Sequence, residues 1–490
     1  MATSVGRSED EDEPPCVVER SPRDLLDTVS SPQRRGGPLI VDLDETLWLR
    51  NSTEAYLDTI RPRWLVAVVL VWIRILRPWR LFGTHDAAED WFRVLVCSVV
   101  FPWALPMWAR RVRRLGPGHL NRELFEWIER EATDRRLLVA TRGFEPIVRP
   151  LVTSFGLPPH ELVACRLWRG RVDRATGKAD MVVGRFGESA VTSSTVISDS
   201  EIDRPLLERC ADPMLCRWPD ARYEPAPTTY VPFAYTELYK RADQRYVYHI
   251  VLGRDFVLWV IATVTVAVAS VPMHIAGLLA LLASFWCVYE AGYLENDRVA
   301  ERHEDDPVLP DRQLPGGRFE LTAWAWAVVT GAIGVLLVEP SDPLQAGLAW
   351  AGLLAGLRVV FFLYNSLDKA TRPILYVALQ AMRLLAPIVV VPVATAGLLA
   401  LVVMSWSRSL LYTVYRSMSG PWQLIPHALI DTAHLAMAYG VLWWAGVELE
   451  GAVVVAMMVA FVLFARGEAR ALIENAHLVR RRRRKAPARQ

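Results

Sequence analysis

Three short apolar runs, "PLIVDLD", "RLLVAT" and "STVISD", constrain the fold of this chain more than any other feature. Each is closed by oxygen-bearing side chains: Asp42 and Asp44, Thr141, and Asp199. Runs without alternation belong to strands covered on both faces, the pattern of a parallel sheet. The segment "HLNRELFEWIEREATDRR" precedes the second run and reads as an amphipathic helix. Strand, helix, strand in that order predicts an open, doubly wound α/β sheet, whose ligand site lies at the carboxyl ends of the strands. Asp42 and Asp44 pose an electrostatic problem there. Two carboxylates that close repel, and one is driven towards neutrality unless a cation or a substrate charge offsets them. The pair therefore calls for a divalent cation, or for a nucleophile beside its proton donor.

Composition divides the chain. Of 490 residues, 52% are hydrophobic, and 55 basic residues nearly balance 53 acidic ones. The mean hydropathy of +0.20 is high for a wholly soluble protein. Charge sits at the ends, "SEDEDE" near the start and "RRRRRK" near the finish, while apolar residues crowd the second half. A soluble front and a membrane-embedded back follow. The start has neither the basic flank nor the apolar core of a secretory signal, which predicts a cytoplasmic front domain. Six cysteines without a CxxC pair fit reduced thiols better than a disulfide or zinc framework. The expected organisation is a disordered N-terminus (1–36), an α/β domain (37–225), a linker (226–255), a transmembrane helical domain (256–467) and a basic cytoplasmic tail (468–490).

Four segments in order make the α/β domain resemble the haloacid dehalogenase (HAD) phosphohydrolase superfamily. "DLDETL" matches its DxDx[TV] motif, and "LLVATRG" matches a strand ending in Thr or Ser. "RATGKAD" supplies a lysine, and "VISDSEID" a strand ending in two spaced aspartates. The resemblance implies Asp42 as nucleophile, Asp44 as acid then base, and Thr141 and Lys178 on the transferring phosphoryl group. It also implies Mg²⁺ on Asp42, Asp199 and the Asp44 carbonyl, with Asp203 supporting the metal's waters or Lys178. Glu45 stands where many relatives have glycine.

A cap insertion is expected over about 50–118. Its apolar runs "WLVAVVLVWIRIL" and "VLVCSVVFPWALPMW" are too short to cross a bilayer. Tryptophans and arginines crowd them, as in segments that dip into the headgroup layer; a self-packed helical cap is the other reading. Beyond residue 255, seven candidate spans read at about 256–274, 275–294, 320–338, 344–364, 384–404, 426–446 and 450–466. Seven would put the basic tail outside, against the positive-inside tendency, so an even number within six to eight is expected. "RRRRRK" reads as a topology anchor or acidic-lipid contact, and no nucleic-acid partner is expected.

Asn296 and Asp297 close the second expected span, with Glu301 and Asp305 following at four-residue spacing on one helix face. This weakly resembles the Mg²⁺-diphosphate loop of the UbiA-type prenyltransferase superfamily. The resemblance would make Asn296, Asp297, Glu301, Asp305, Asp368 and Arg372 ligand-binding, with Lys369 beside them. It is imperfect: alanine occupies position 300, and the second loop has the single aspartate Asp368. Solvated juxtamembrane charge accounts for the same residues. The sequence thus predicts a multi-pass cell-membrane phosphatase with a cytoplasmic catalytic domain and a phosphorylated, lipid- or polyprenyl-linked substrate. A bifunctional prenyltransferase/phosphatase, and a phosphatase of a soluble metabolite with the spans as anchor, stay open. Substrate identity and oligomeric state are not legible.

Overall fold

The computed structural model describes residues 17, 19–27, 37–83, 86–133, 135–242, 244–304, 307–310, 312–368, 371–418 and 425–485. The chain divides into two compact units, Met1–Thr229 and Tyr230–Gln490.

In the first unit, β1 (Leu39–Asp42), β2 (Leu137–Phe144), β3 (His160–Cys165), β4 (Thr195–Ser198) and β5 (Asp212–Leu215) form one sheet. All pairs are parallel, in the order β3-β2-β1-β4-β5. Leu39, Val41, Val139 and Ile197 enter the core on one face, and Ile40, Leu138, Ala140 and Val196 that on the other. Both faces are covered, which is why the runs do not alternate. The register pairs Asp42 with Ala140 and Val41 with Ile197, so Asp42, Thr141 and Ser198 leave the sheet side by side. Strands β3 and β5 escape the sequence reading. Both are edge strands: "HELVAC" is only partly buried, and "DPML" has four residues including Pro213.

The insertion between β1 and α6 (Arg122–Glu131) is helical: α2 (Ser52–Thr59), α3 (Arg63–Leu76), α4 (Asp86–Val100) and α5 (Ala104–Leu115). The first expected apolar run is α3; the second is split, with α4 and α5 meeting at 106°. Its tryptophans divide. Trp108 is buried and donates to the Ile147 carbonyl at 2.8 Å, whereas Trp64 and Trp103 are 51% and 45% exposed. A charge strap holds the insertion to the sheet unit. Buried Glu54 on α2 receives both Arg93 Nη atoms from α4 at 2.8 Å and the Ala226 N–H at 2.6 Å. Removing one partner of a buried pair leaves an uncompensated charge, costing about 3–5 kcal/mol. Arg93→Ala should therefore lower the thermal transition of this unit by several degrees, read by differential scanning calorimetry of the whole chain in detergent. An unchanged transition would show the strap to be dispensable.

In the second unit, six helical segments among the described residues are long and apolar enough to cross a membrane. They are Val247–Val266, Val271–His303, Phe319–Leu337, Pro343–Ser366, Thr395–Arg416 and Gly451–Glu474. The expected boundaries fail in three places. The first segment begins nine residues before the expected 256, because Arg254 and Asp255 are helical and neutralised: Arg254 pairs with Asp431, and Asp255 with Arg383. The expected 384–404 is broken between the helices Pro373–Leu385 and Thr395–Met418, where Pro387 and Pro392 cannot continue the hydrogen-bond ladder. The expected 426–446 is a helix, His427–Trp444, but not one of the six, and it carries the buried Asp431.

Candidate active site

The strand order reverses at β1, the switch point where an open parallel sheet leaves a crevice. A cavity of about 320 Å³ lies there, lined by Asp42, Asp44, Thr141, Lys178, Asp199 and Asp203. The sequence motifs, spread from Asp42 to Asp203 over strand and helix ends, thus face one space.

Lys178 opens the helix α9 (Lys178–Phe186). Gly177 before it has φ +87°, a backbone region that side chains disfavour, and this sets the helix start into the cavity. The buried ammonium lies 2.6 Å from both Asp42 Oδ1 and Asp203 Oδ2. Ser198 Oγ donates to Asp203 at 2.6 Å and to Asp42 Oδ2 at 3.3 Å, and the Leu43 N–H donates to Asp42 Oδ1 at 2.7 Å. Burial pushes Asp42 well above the usual carboxylate range, against the pull of Lys178 and with Asp203 and Asp199 adding to the rise. Burial also acts to raise Asp203, but Lys178 and the Ser198 hydroxyl hold it below its ordinary value. Lys178 itself is raised: burial opposes its charge, and the two carboxylates more than restore it.

Asp44 is oriented by the Ser52 N–H at 2.6 Å and by Thr141 Oγ1 at 3.0 Å. Thr141 Oγ1 in turn accepts the Gly143 N–H at 2.9 Å. A Cβ at position 143 would lie 2.6 Å from Val148 Cγ1, so the last part of β2 is held close to the following helix by glycine. Asp199 accepts from Thr46 Oγ1 at 2.8 Å, and its own N–H donates to the same hydroxyl at 3.1 Å. Burial raises the Asp199 carboxyl above its ordinary value. Thr46 and Ser198 went unnoticed as site residues. The signal was present, since Thr46 ends the DxDx[TV] motif and Ser198 precedes Asp199. Glu45 adopts φ +62°, the left-handed conformation glycine takes at low cost, and its side chain lines the cavity. Asp90 from α4, Arg142 after Thr141, and Arg174 also line the cavity; nothing in the apolar pattern marks them.

Among the described residues no three His, Cys, Asp or Glu side chains are grouped as a metal cage. Asp42 and Asp199 nonetheless offer oxygen ligands into one cavity. That donor set suits Mg²⁺, which keeps several waters and needs only one or two protein carboxylates.

The expected membrane-loop site is reshaped. Asn296, Asp297, Ala300, Glu304 and Arg372 line a second cavity of about 430 Å³ within the helical unit. Glu301 is exposed and off this wall, Asp368 instead accepts the Thr371 N–H at 2.9 Å, and Asp305 and Lys369 lie outside the described residues. Asp297, 1% exposed, is ion-paired with Lys240 and accepts from Tyr235 at 2.7 Å. Glu304 pairs with Arg372 at 3.3 Å. Asp297 and Glu304 are thus each engaged by a protein cation.

With this geometry in hand, residues 39–208 match the family model for haloacid dehalogenase-like hydrolases. The match covers β1 to β4 and the insertion, and stops before β5 and the helical unit. No curated protein and no solved structure matches the chain. The front of the chain is thus hydrolase-like, with a helical, membrane-span-like region behind it.

Lys178→Met would leave two buried carboxylates facing each other without a cation. A loss of about 3–5 kcal/mol is expected, visible as a lowered thermal midpoint, and Lys178→Met/Asp203→Asn should regain part of it. Equal midpoints for the single and double variants would mean that the ammonium does not hold the pair together.

Proposed function

We propose that this chain is a membrane-anchored, Mg²⁺-dependent phosphatase of phosphate monoesters, its sheet unit on the cytoplasmic side and its substrate lipid- or polyprenyl-linked. The observation that carries the reading is the ammonium of Lys178 bridging Asp42 and Asp203 at the carboxyl edge of the sheet, with Asp44 and Thr141 lining the same cavity. Asp42 attacks phosphorus, its new O–P bond forming as the ester P–O bond breaks. Asp44 gives its proton to the leaving oxygen, then takes one from the water that cleaves the aspartyl-phosphate and releases phosphate. Lys178 and Thr141 hold the phosphoryl oxygens. Asp42, Asp199 and the Asp44 carbonyl would hold Mg²⁺, which would supply neutralising charge.

Lipid proximity has support in the insertion. Trp64, Val99, Val100 and Trp103 are exposed at one end of it, and Trp103 Nε1 donates to the Arg61 carbonyl at 2.9 Å, joining the bend to the start of α3. Exposed tryptophan beside arginine suits a headgroup layer. The second cavity supports a bifunctional alternative, since Lys240, Arg241, Arg372 and Arg416 on its wall could receive a prenyl diphosphate.

Two experiments test the main reading. Asp42→Asn should reduce phosphate release to background, and Asp44→Asn should lower kcat by roughly 10²–10⁴; chelation of Mg²⁺ should silence the wild type. Full activity in Asp42→Asn would sink the mechanism. In the second, Trp64→Ala/Trp103→Ala should lower kcat/KM for a vesicle-embedded phosphate about fivefold more than for a water-soluble one. A uniform effect on both would remove the lipid contact.

A further inference from the structure

The catalytic cavity also holds two arginines that hydrolysis itself does not use. Arg142 and Arg174, on β2 and on α8 (Gly170–Thr176), lock each other: Arg142 Nη2 donates to the Arg174 carbonyl at 3.2 Å and Arg174 Nη1 to the Arg142 carbonyl at 2.9 Å. Arg174 Nη2 also binds Asp90 at 2.6 Å. Asp90 is shared with Arg93 at 3.3 Å, and Arg93 already holds Glu54. Within this network Arg174 and Arg93 each meet a carboxylate and Arg142 meets none. Among the described residues the acceptor its guanidinium meets is that one carbonyl, and its Nε is buried with no acceptor. A planar fork fixed by backbone and short of acceptors suits a carboxylate or phosphoryl group.

The rest of the lining agrees. Ile202 is the one aliphatic side chain among the residues that line the cavity. Its 320 Å³ equals roughly ten waters at liquid density. A compact polar molecule fits that space, and an isoprenoid chain directly on the phosphate does not match its walls.

We propose that the cavity takes a small polar phosphate ester carrying a second anionic group, which Arg142 and Arg174 receive while the phosphate meets Asp42. This rests on the phosphatase reading and sharpens its substrate class; any lipid lies beyond the polar part. Asp90 occupies Arg174 in the free protein and limits its strength.

The test compares glycerol 3-phosphate with 3-phosphoglycerate, which differ in a hydroxymethyl group against a carboxylate, on full-length protein with Mg²⁺. The wild type should favour 3-phosphoglycerate in kcat/KM by roughly tenfold or more, because an unmet buried donor set rejects the analogue lacking its partner. Arg142→Gln should collapse that ratio towards one, Arg142→Lys should keep part of it, and Asp90→Asn should raise it by releasing Arg174. The same ratios are read as binding by calorimetry on Asp42→Asn and its combinations, which need no turnover. Absence of hydrolysis with the binding preference intact would strike the phosphatase reading alone. Absence of the preference in both measurements, absence of any binding, or a preference that survives Arg142→Gln would overturn the second-anion site.

Discussion

Lys178 is stable as a buried ammonium only because Asp42 and Asp203 flank it at 2.6 Å each. Removed from water, an isolated ammonium would lose its proton, and either carboxylate alone would take one up. Together they form a charged row that three separate elements must meet to complete: the end of β1, the start of α9 and the turn after β4. The net stability from such a row is small once desolvation is counted. Its larger effect is placement, since a shift of any one element strands a charge. Lys178 thereby opposes the rise that burial imposes on the Asp42 carboxyl.

The sheet and the insertion divide the labour of the site. The sheet fixes Asp42, Thr141 and Asp199 by register alone, because neighbouring parallel strands end at matching heights. The insertion and the segments after β2 bring Asp90, Glu54 and Arg174 to the same cavity. The strand-end residues and the rest of the wall thus come from different stretches, an arrangement in which one sheet can carry many different sites.

The central strands and four of the motif residues were legible in the sequence because each coincides with an apolar run ending in a polar residue. The edge strands were not: β3 begins with His160 and Glu161 and is only partly buried, and β5 is four residues long, opening on Asp212 and Pro213. Thr46 and Ser198 are legible only through their neighbours, the DxDx[TV] motif and Asp199, since a hydroxyl that orients a carboxylate has no apolar pattern of its own. In the membrane loop the cavity follows Asp297, Ala300 and Glu304. Lys240 and Arg372, remote in sequence from those carboxylates, pair with Asp297 and Glu304, and no spacing pattern announces such partners. Span boundaries failed where Arg254 and Asp255 interrupt hydropathy while their partners neutralise them.

Those partners are far along the chain. Asp255 meets Arg383 at a separation of 128 residues, and Arg254 meets Asp431 at 177. An unpaired charge at the centre of a membrane helix costs about 2.5–3.5 kcal/mol on insertion scales. The first helix of the bundle therefore emerges from the ribosome with both charges unmatched, and it stays so until helices near the carboxyl end are made. Assembly of this unit cannot run strictly from first helix to last. Its opening span is provisional during synthesis, and the late helices act as the keystone that makes the early one permanent.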